Sequence, residues 1–559
     1  METLLDLLDE SARRHGPRNA LGLRLDDGTT THWTYAEVRR RSRLAAWRLR
    51  ALGLQPGDRV LTWSPSTPAL PAAYYGSMIA RLIYVPLDSR MSPDAIANII
   101  SVSGAARLLL GTGRDAPDPR EAGLEHFPTT TMESLSEDPD DTFPPDWEAQ
   151  LDAWARPRPD EIYQLVFTSG TTGRPKGVML AHDNSLAGVK SFHRIIKPME
   201  HRMVSLLPLS HSFEQAVSLF YAMDVGADIL YVRSRNPRVI FDALRDHGVT
   251  TMLLVPQYVE LIWTAVEREV EKQGRTAMFN RLRWIARRLP YWARRRLFRS
   301  VHERLGGGLR LFATAAAFLP PAVQQAWEDM GVIVLQGYGS TETAAGSCTT
   351  MADHPLGCVG WPPKPVEMRI ADDGEIQFRG PTLFKGYWND PEATRDAFTE
   401  DGWYRTGDLG RLDARGRLHL HGRKKDIIVL PNGFNVYPED IENALRVAGI
   451  RDSVAIETRR GRIEAVVLAP DTPSGATESR GDQAGEDAAS SAAAAAEDLR
   501  RRLDAAIKAA NATLGPNQRI AGWRLWPDPD FPRTHTLKIK RGEVRSWAAV
   551  EAQLPVSET

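Results

Sequence analysis

From about Thr31 to Val255 the chain alternates short apolar runs with longer amphipathic stretches. RVLTW, LIYVPLD, YQLVFTS, MVSLLPL and ADILYV have strand length, and TYAEVRRRSRLAAWRLRALG has helix length. Strands alternating with helices predict a mostly parallel sheet covered on both faces, an α/β architecture. The pattern does not carry the order of the strands.

Its character changes near GRLHLHGRKKDIIVLPNGFNVYPEDIENAL, residues 416 to 445, where alternating short strands end in a polar, basic junction. The chain beyond this junction reads as strand, helix, strand, helix, enough for a small α+β lid. The expected organisation is therefore a large domain of packed, mostly parallel sheets with helices over 1–422, and a small mobile lid over 423–559. Within the lid, DTPSGATESRGDQAGEDAASSAAAAAED (471–498) is rich in Gly, Ser, Ala and acids and lacks an apolar face, so a flexible insertion is expected there. Its Ala run can extend the next helix.

Composition removes several function classes. The 70 Lys and Arg nearly balance 71 Asp and Glu, so no whole-chain field favours nucleic acid or membrane. Cys348 and Cys358 are too few for a disulfide framework and lack partners at metal-ligand spacing, which suits a reducing cytoplasm. METLLDLLDESARRHG is unlike a signal peptide, and no apolar run approaches bilayer-spanning length, so a soluble or at most peripheral protein is expected.

One segment departs from this balance. Residues 281 to 310 hold ten Arg and one Glu, interleaved with Trp284, Ile285, Leu289, Tyr291, Trp292, Leu297 and Phe298. The first reading is a solvated helical face whose aromatics pack inward, because Pro290 divides the segment into two helices of a few turns. The second is a surface touching anionic lipid or the acidic head of a ligand, at the inner face of a membrane.

The clearest chemistry lies in VFTSGTTGRPKGVMLAH, residues 166 to 182. Gly170, Gly173 and Gly177 permit an open, tight backbone; Thr168, Ser169, Thr171 and Thr172 offer hydroxyls; Lys176 adds charge. Amides and hydroxyls arranged this way cradle phosphate. The spacing is not that of the kinase and GTPase P-loop, since Gly177 follows Lys176 where Ser or Thr is needed.

This stretch resembles the signature of the AMP-forming, adenylate-forming superfamily that includes acyl-CoA synthetases, firefly luciferase and peptide-synthetase adenylation domains. LPLSHSFEQ (207–215), TAAAFLP (314–320), QGYGSTET (336–343), GWYRTGDLG (402–410), GRKKDIIVLPNGFNVYPEDIE (422–442) and PRTHTLKIKR (532–541) resemble its other blocks, in its order. The resemblance implies two half-reactions. A carboxylate attacks the α-phosphorus of ATP, giving acyl-adenylate and pyrophosphate; the thiol of coenzyme A then displaces AMP. Both develop negative charge on oxygen, which positioned cations and donors stabilise without a protein nucleophile.

The resemblance also assigns roles. Tyr338 is to face adenine between Gly337 and Gly339, with Ala316 beside the base; Thr341 is to donate to the α-phosphate and Glu342 to ligate Mg2+, a hard cation that prefers oxygen. Because alanine disfavours positive φ, ordinary dihedrals are expected at 315–317. Asp408 is to accept both ribose hydroxyls and Arg423 to donate to the same sugar. His211 is to position the reacting carboxylate, which arrives already ionised. Lys425 is the hinge, Gly433 and Phe434 belong to the pantetheine tunnel, and Lys538 is the catalytic lysine, with Lys540 and Arg541 left as surface charges.

The 207–215 and C-terminal blocks resemble long-chain fatty acyl-CoA synthetases, with Val255, Pro256 and Tyr258 in the expected acyl groove. Three readings stay distinct: an acyl-CoA synthetase, a fatty acyl-AMP ligase loading a carrier protein, and a non-catalytic adenylate-binding protein. The first is preferred because Lys176, Glu342, Asp408, Arg423 and Lys538 are all present.

Overall fold

The structure, a computed structural model, describes residues 1–113, 115–168, 175–234, 236–430, 434–459, 462–468, 486–533 and 539–551, with side chains at 237, 458–459, 486–496 and 551 left aside. The chain forms two compact units: 1–369 with 377–406 and 412–419, and 370–376 with 407–411 and 420–559. Among the described residues no helix is long and apolar enough to cross a membrane.

In the larger unit the strands, in chain order, are β1 (Asn19–Arg24), β2 (Thr30–Thr34), β3 (Arg59–Trp63), β4 (Ile83–Leu87), β5 (Arg107–Leu110), β6 (Thr129–Thr131), β7 (Ile162–Thr168), β8 (Lys176–Ala181), β9 (Arg202–Ser205), β10 (Asp228–Val232), β11 (Thr251–Leu254), β12 (Leu311–Thr314), β13 (Ile333–Tyr338) and β14 (Ser347–Cys348). They make an eight-stranded sheet of order β14-β13-β12-β11-β9-β10-β1-β2 and a six-stranded sheet of order β6-β5-β3-β4-β7-β8. Neighbours are parallel except at the antiparallel edges β1–β2, β13–β14 and β7–β8.

The apolar runs explain this. IYVPL of β4 and TMLL of β11 are buried at every position, as strands covered on both faces by helices must be. Helix starts obey local chemistry: Thr34 Oγ1 accepts from Glu37 N while the Glu37 carboxylate accepts from Thr34 N, opening the helix Tyr35–Ala51.

The smaller unit carries a three-stranded sheet, Ser453–Arg459, Arg462–Val467 and Ile520–Leu525, whose first pair is antiparallel and second parallel. Period-two alternation sends Ala455, Ile463, Ala465 and Val467 to one face, against Ile441, Leu445, Leu503 and Ile507. Val454, Ile456 and Val466 go to the other, against Phe531, Val544 and Ala548.

One expectation changes here. Asp408, placed by the linear boundary in the large domain, belongs to the smaller unit, because 370–376 and 407–411 pack with the chain after 420. Gly407 N donates to Glu375 Oε1 at 2.9 Å, and Lys424 Nζ to Asp373 Oδ2 at 2.5 Å. Of the stretch 471–498, residues 471–485 lie outside the described residues, while Glu486–Asn511 is one helix. The Ala run there loses little side-chain entropy on becoming helical, so 486–498 extends the following helix, as its composition allows.

Candidate active site

Loops that leave the carboxyl ends of parallel strands lie along one edge of a sheet, where α/β folds place their ligands. β9 leads to His211, β11 to Val255, Pro256 and Tyr258, β12 to Ala315–Ala317, and β13 to Gly337–Glu342. Thr314 pairs with Gln336, so the last two loops start side by side. A Cβ built on Gly337 would meet that of Ala315 at 3.8 Å. In the second sheet β4 leads to Asp88, and β7 to the phosphate loop.

Side chains join these edges. His211 Nε2 lies 3.2 Å from Asp88 Oδ2. Asp88 is 1% exposed and takes both Nε and Nη2 of Arg90 at 3.0 Å. Burial alone would raise its pKa; the hydrogen bonds from His211 and Arg90 outweigh this and hold it far below the usual carboxylate range. An ionised Asp88 fixes the imidazole from behind. Ser212, next in the chain, has its Oγ 3.3 Å from Thr341 Oγ1.

The helical stretch that begins at Ser212 has a π-helical middle, Gln215–Tyr221, a geometry frequent at functional sites. Just before it, Glu214 is fully buried and accepts from Ser205 Oγ at 2.5 Å. Desolvation pushes its carboxyl up to about 8, so it is protonated at neutral pH.

On the phosphate side, Thr168 and Lys176 are register partners at the mouth of the β7–β8 hairpin. Ser169, Gly170, Thr171 and Thr172 lie outside the described residues. Lys176 Nζ sits 5.0 Å from the centre of the Tyr387 ring, and the Tyr387 hydroxyl donates to Glu342 Oε1 at 3.1 Å. One aromatic residue thus links the phosphate-loop lysine to the expected metal ligand. Glu342 is 9% exposed. Among the described residues no group of three or more His, Cys, Asp or Glu is assembled for a metal. A single buried carboxylate fits Mg2+, which takes one or two carboxylates and completes its shell from water and substrate phosphate.

Ala316 corrects the sequence reading: its φ is +75°, in the left-handed region that was expected to be excluded for alanine. The turn between β12 and the next helix holds Ala316 in that conformation. Tyr338 ends β13, half-buried, with its ring 6.0 Å from Phe378. A Cβ at Gly339 would press on Thr343 Oγ1 at 3.1 Å and Gly346 N at 3.3 Å, which explains the glycine.

In the smaller unit Arg423 Nε lies 2.8 Å from Asp408 Oδ1, so the two residues expected to hold one sugar are neighbours. Lys425 is exposed in a short 3-10 turn, and Phe434 is 45% exposed. Gly433 and Lys538 lie outside the described residues. Lys540 is a surface charge paired with Glu543. Arg541 is not: its guanidinium binds half-buried Glu442 through both terminal nitrogens. Burial opposes its charge, yet Glu442 and then Glu439 raise its pKa further above the arginine range.

Asp88, Arg90 and Tyr387 escaped the sequence reading. Asp88 carried one weak sign, an acid directly after a wholly apolar strand. Tyr387 had none, since its partners Lys176 and Glu342 come from distant segments.

A family model described as AMP-binding enzyme matches residues 8–388. The chain is 29% identical over 569 residues to the long-chain-fatty-acid–CoA ligase FadD15 of Mycobacterium bovis, covering 94% of this chain and 93% of the relative. It is 28% identical over 431 residues to a feruloyl-CoA synthase of an Amycolatopsis species, covering 74% and 78%. ATP-bound MatB from Rhodopseudomonas palustris shares the fold, with a TM-score of 0.74 over 99% of this chain and 100% of that one at 22% identity. Matched over more than half its length, the chain belongs to the AMP-binding enzyme family of ATP-dependent, adenylate-forming enzymes.

Proposed function

We propose that the protein activates a long-chain fatty acid as its acyl-adenylate and transfers the acyl group to coenzyme A, releasing pyrophosphate and AMP. The observation that carries this reading is the convergence of His211–Asp88, Thr341, and Lys176–Tyr387–Glu342 at the ends of parallel strands. Long-chain specificity is supported by the likeness to FadD15 along nearly the whole chain.

In the first half-reaction His211, oriented by Asp88, aligns the ionised carboxylate with the α-phosphorus. The Thr341 hydroxyl donates to an α-phosphate oxygen, and Lys176 neutralises the departing pyrophosphate. Glu342 would hold Mg2+, which supplies further charge neutralisation when bound. Such preorganised donors lower the barrier because they need no reorganisation as charge develops. Asp408 and Arg423 hold the ribose, and Lys538 approaches the carboxylate and α-phosphate in this half-reaction only. Lys425 is the pivot, after which Gly433 and Phe434 line the pantetheine path. The proposed place of action is the cytoplasm, in peripheral contact with a membrane through 281–310.

The test is AMP release across a panel from acetate to long-chain fatty acids, with and without coenzyme A. Coenzyme A-dependent release that peaks with long chains is expected. Indifference to chain length removes the long-chain assignment. Adenylate formation without thioester turnover moves the protein to the acyl-AMP ligases, and neither activity makes it a binding protein.

A further inference from the structure

The arginine-rich segment 281–310 is sorted by the fold into an inner and an outer set. In the helix Thr276–Ala286, Phe279 and Ala286 are buried, and the Phe279 ring stacks on Trp263 at 6.2 Å. Arg283 and Arg287 reach the fully buried Asp329 at 3.2 and 3.0 Å. Arg294 donates to the carbonyls of Leu289 and Glu328, and Arg295 to that of Gly307. Arg283, Arg287 and Arg294 hold the segment onto the core, and Arg295 braces it from within.

The opposite side has no such purpose. Met278, Arg281, Trp284, Ile285 and Arg288 recur at helical spacing on the outward face, with Met278 53%, Trp284 57% and Ile285 38% exposed. Beyond Pro290, Trp292 is 70% exposed and is followed by exposed Arg296 and Arg299. The segment's ion pairs among the described residues are those of Arg283, Arg287, Arg299 and Arg304. Arg281, Arg288 and Arg296 make none with a described residue. Arg288 instead lies 4.0 Å over the Trp284 ring.

Two indoles in water, flanked by cations without carboxylate partners among the described residues, form a surface of defined chemistry. Indoles favour the boundary between acyl chains and headgroups, and arginine stems lie along apolar surface while their heads reach phosphate. Outside 281–310 the chain holds 60 Lys and Arg against 70 Asp and Glu, so the cationic character belongs to this segment.

We propose that the outward face of residues 278–299 docks the protein on an anionic lipid bilayer, with Trp284 and Trp292 inserted at the headgroup boundary and Arg281, Arg288 and Arg296 on lipid phosphates. A nucleic acid or an acidic protein would use the arginines and leave the isolated Met278, Ile285 and tryptophans in water. The proposal rests on the reading of a peripheral enzyme of lipid acids, and the two are tested apart: vesicle binding is measured without ATP, and AMP release without vesicles.

The full-length protein is to be sedimented with vesicles of phosphatidylcholine alone or mixed with phosphatidylglycerol. Binding to the mixed vesicles only, released by added salt, is expected. The triple variant R281E/R288E/R296E loses at least about tenfold in partitioning, since each surface cation adds to attraction by anionic lipid. W284S/W292S, with every arginine intact, loses binding as well, which separates insertion from charge. Both variants keep the wild-type circular dichroism spectrum and coenzyme A-dependent AMP release from a water-soluble carboxylate. Equal binding to neutral vesicles, binding unchanged in either variant, or retention on DNA with none on vesicles overturns the proposal.

Discussion

The larger unit and the smaller unit hold their functional side chains by different means. In the larger, Asp88, Glu342 and Glu214 are at most 9% exposed, and each is fixed by a named partner from another segment: His211, Tyr387 and Ser205. In the smaller, Arg423 keeps 40% of its side chain exposed, and Lys425 and Phe434 are exposed too. Burial fixes geometry at the cost of desolvation, whereas exposure keeps a group cheap to move. The first arrangement suits groups needed throughout the reaction, and the second suits groups that serve one half of it.

The sharpest way to break that comparison is Lys538→Ala. Adenylation is expected to fall by about 100- to 1000-fold, as when one oxyanion-type donor is removed. Thioester formation from supplied acyl-adenylate stays near wild type. Equal loss in both assays would show that the smaller unit's groups are not confined to one half-reaction.

The buried side of the comparison is tested by Glu214. Its folded-state pKa is raised from 4.5 to about 8, so above pH 4.5 the unfolded chain releases a proton that the folded chain keeps. Stability therefore falls as pH rises from 4.5 to about 8 and levels off beyond. Glu214→Gln stays neutral and should flatten that decline by on the order of 5 kcal/mol, measured as urea midpoints against pH. Parallel profiles for the two proteins would mean that the carboxyl is not protonated.

Asp88→Asn keeps the shape and removes the charge behind His211. The kcat of adenylation should fall about 10- to 100-fold, the usual cost of losing a group that orients another, with KM for ATP unchanged. A rise in that KM with kcat intact would make Asp88 part of the nucleotide site.

The smallest effect concerns the strained turn. Ala316→Gly relieves a left-handed alanine, roughly 1–2 kcal/mol, against about 0.4–1 kcal/mol of added unfolded-state freedom, for a net gain between about 0 and 1.6 kcal/mol. A lower melting midpoint would show that the positive φ is not under strain.

The motifs were legible because each is a short run with its own chemistry: glycines and hydroxyls for phosphate, a tyrosine between glycines, an acid directly after Thr406 and Gly407 in RTGDLG. Parallel strands were legible in runs such as LIYVPLD for the same local reason. Asp88, Arg90 and Tyr387 were not, because their meaning lies in partners on other strands. Ala316 misled because alanine's own preference lost to the demands of the turn. Arg541 misled because a cation beside Lys540 looks like surface until Glu442 is folded beneath it.

The sequence by itself determined the chemistry of this protein, since the residue types suited to phosphate, cation and ribose stand at fixed short spacing. Only the tertiary structure decided which charges face inward and which face water. Ten arginines in one segment look alike along the chain; Asp329 claims two of them, backbone carbonyls claim others, and Trp284 and Trp292 are left outside. Pairing and burial depend on segments that meet only when folded, and local sequence carries no record of them.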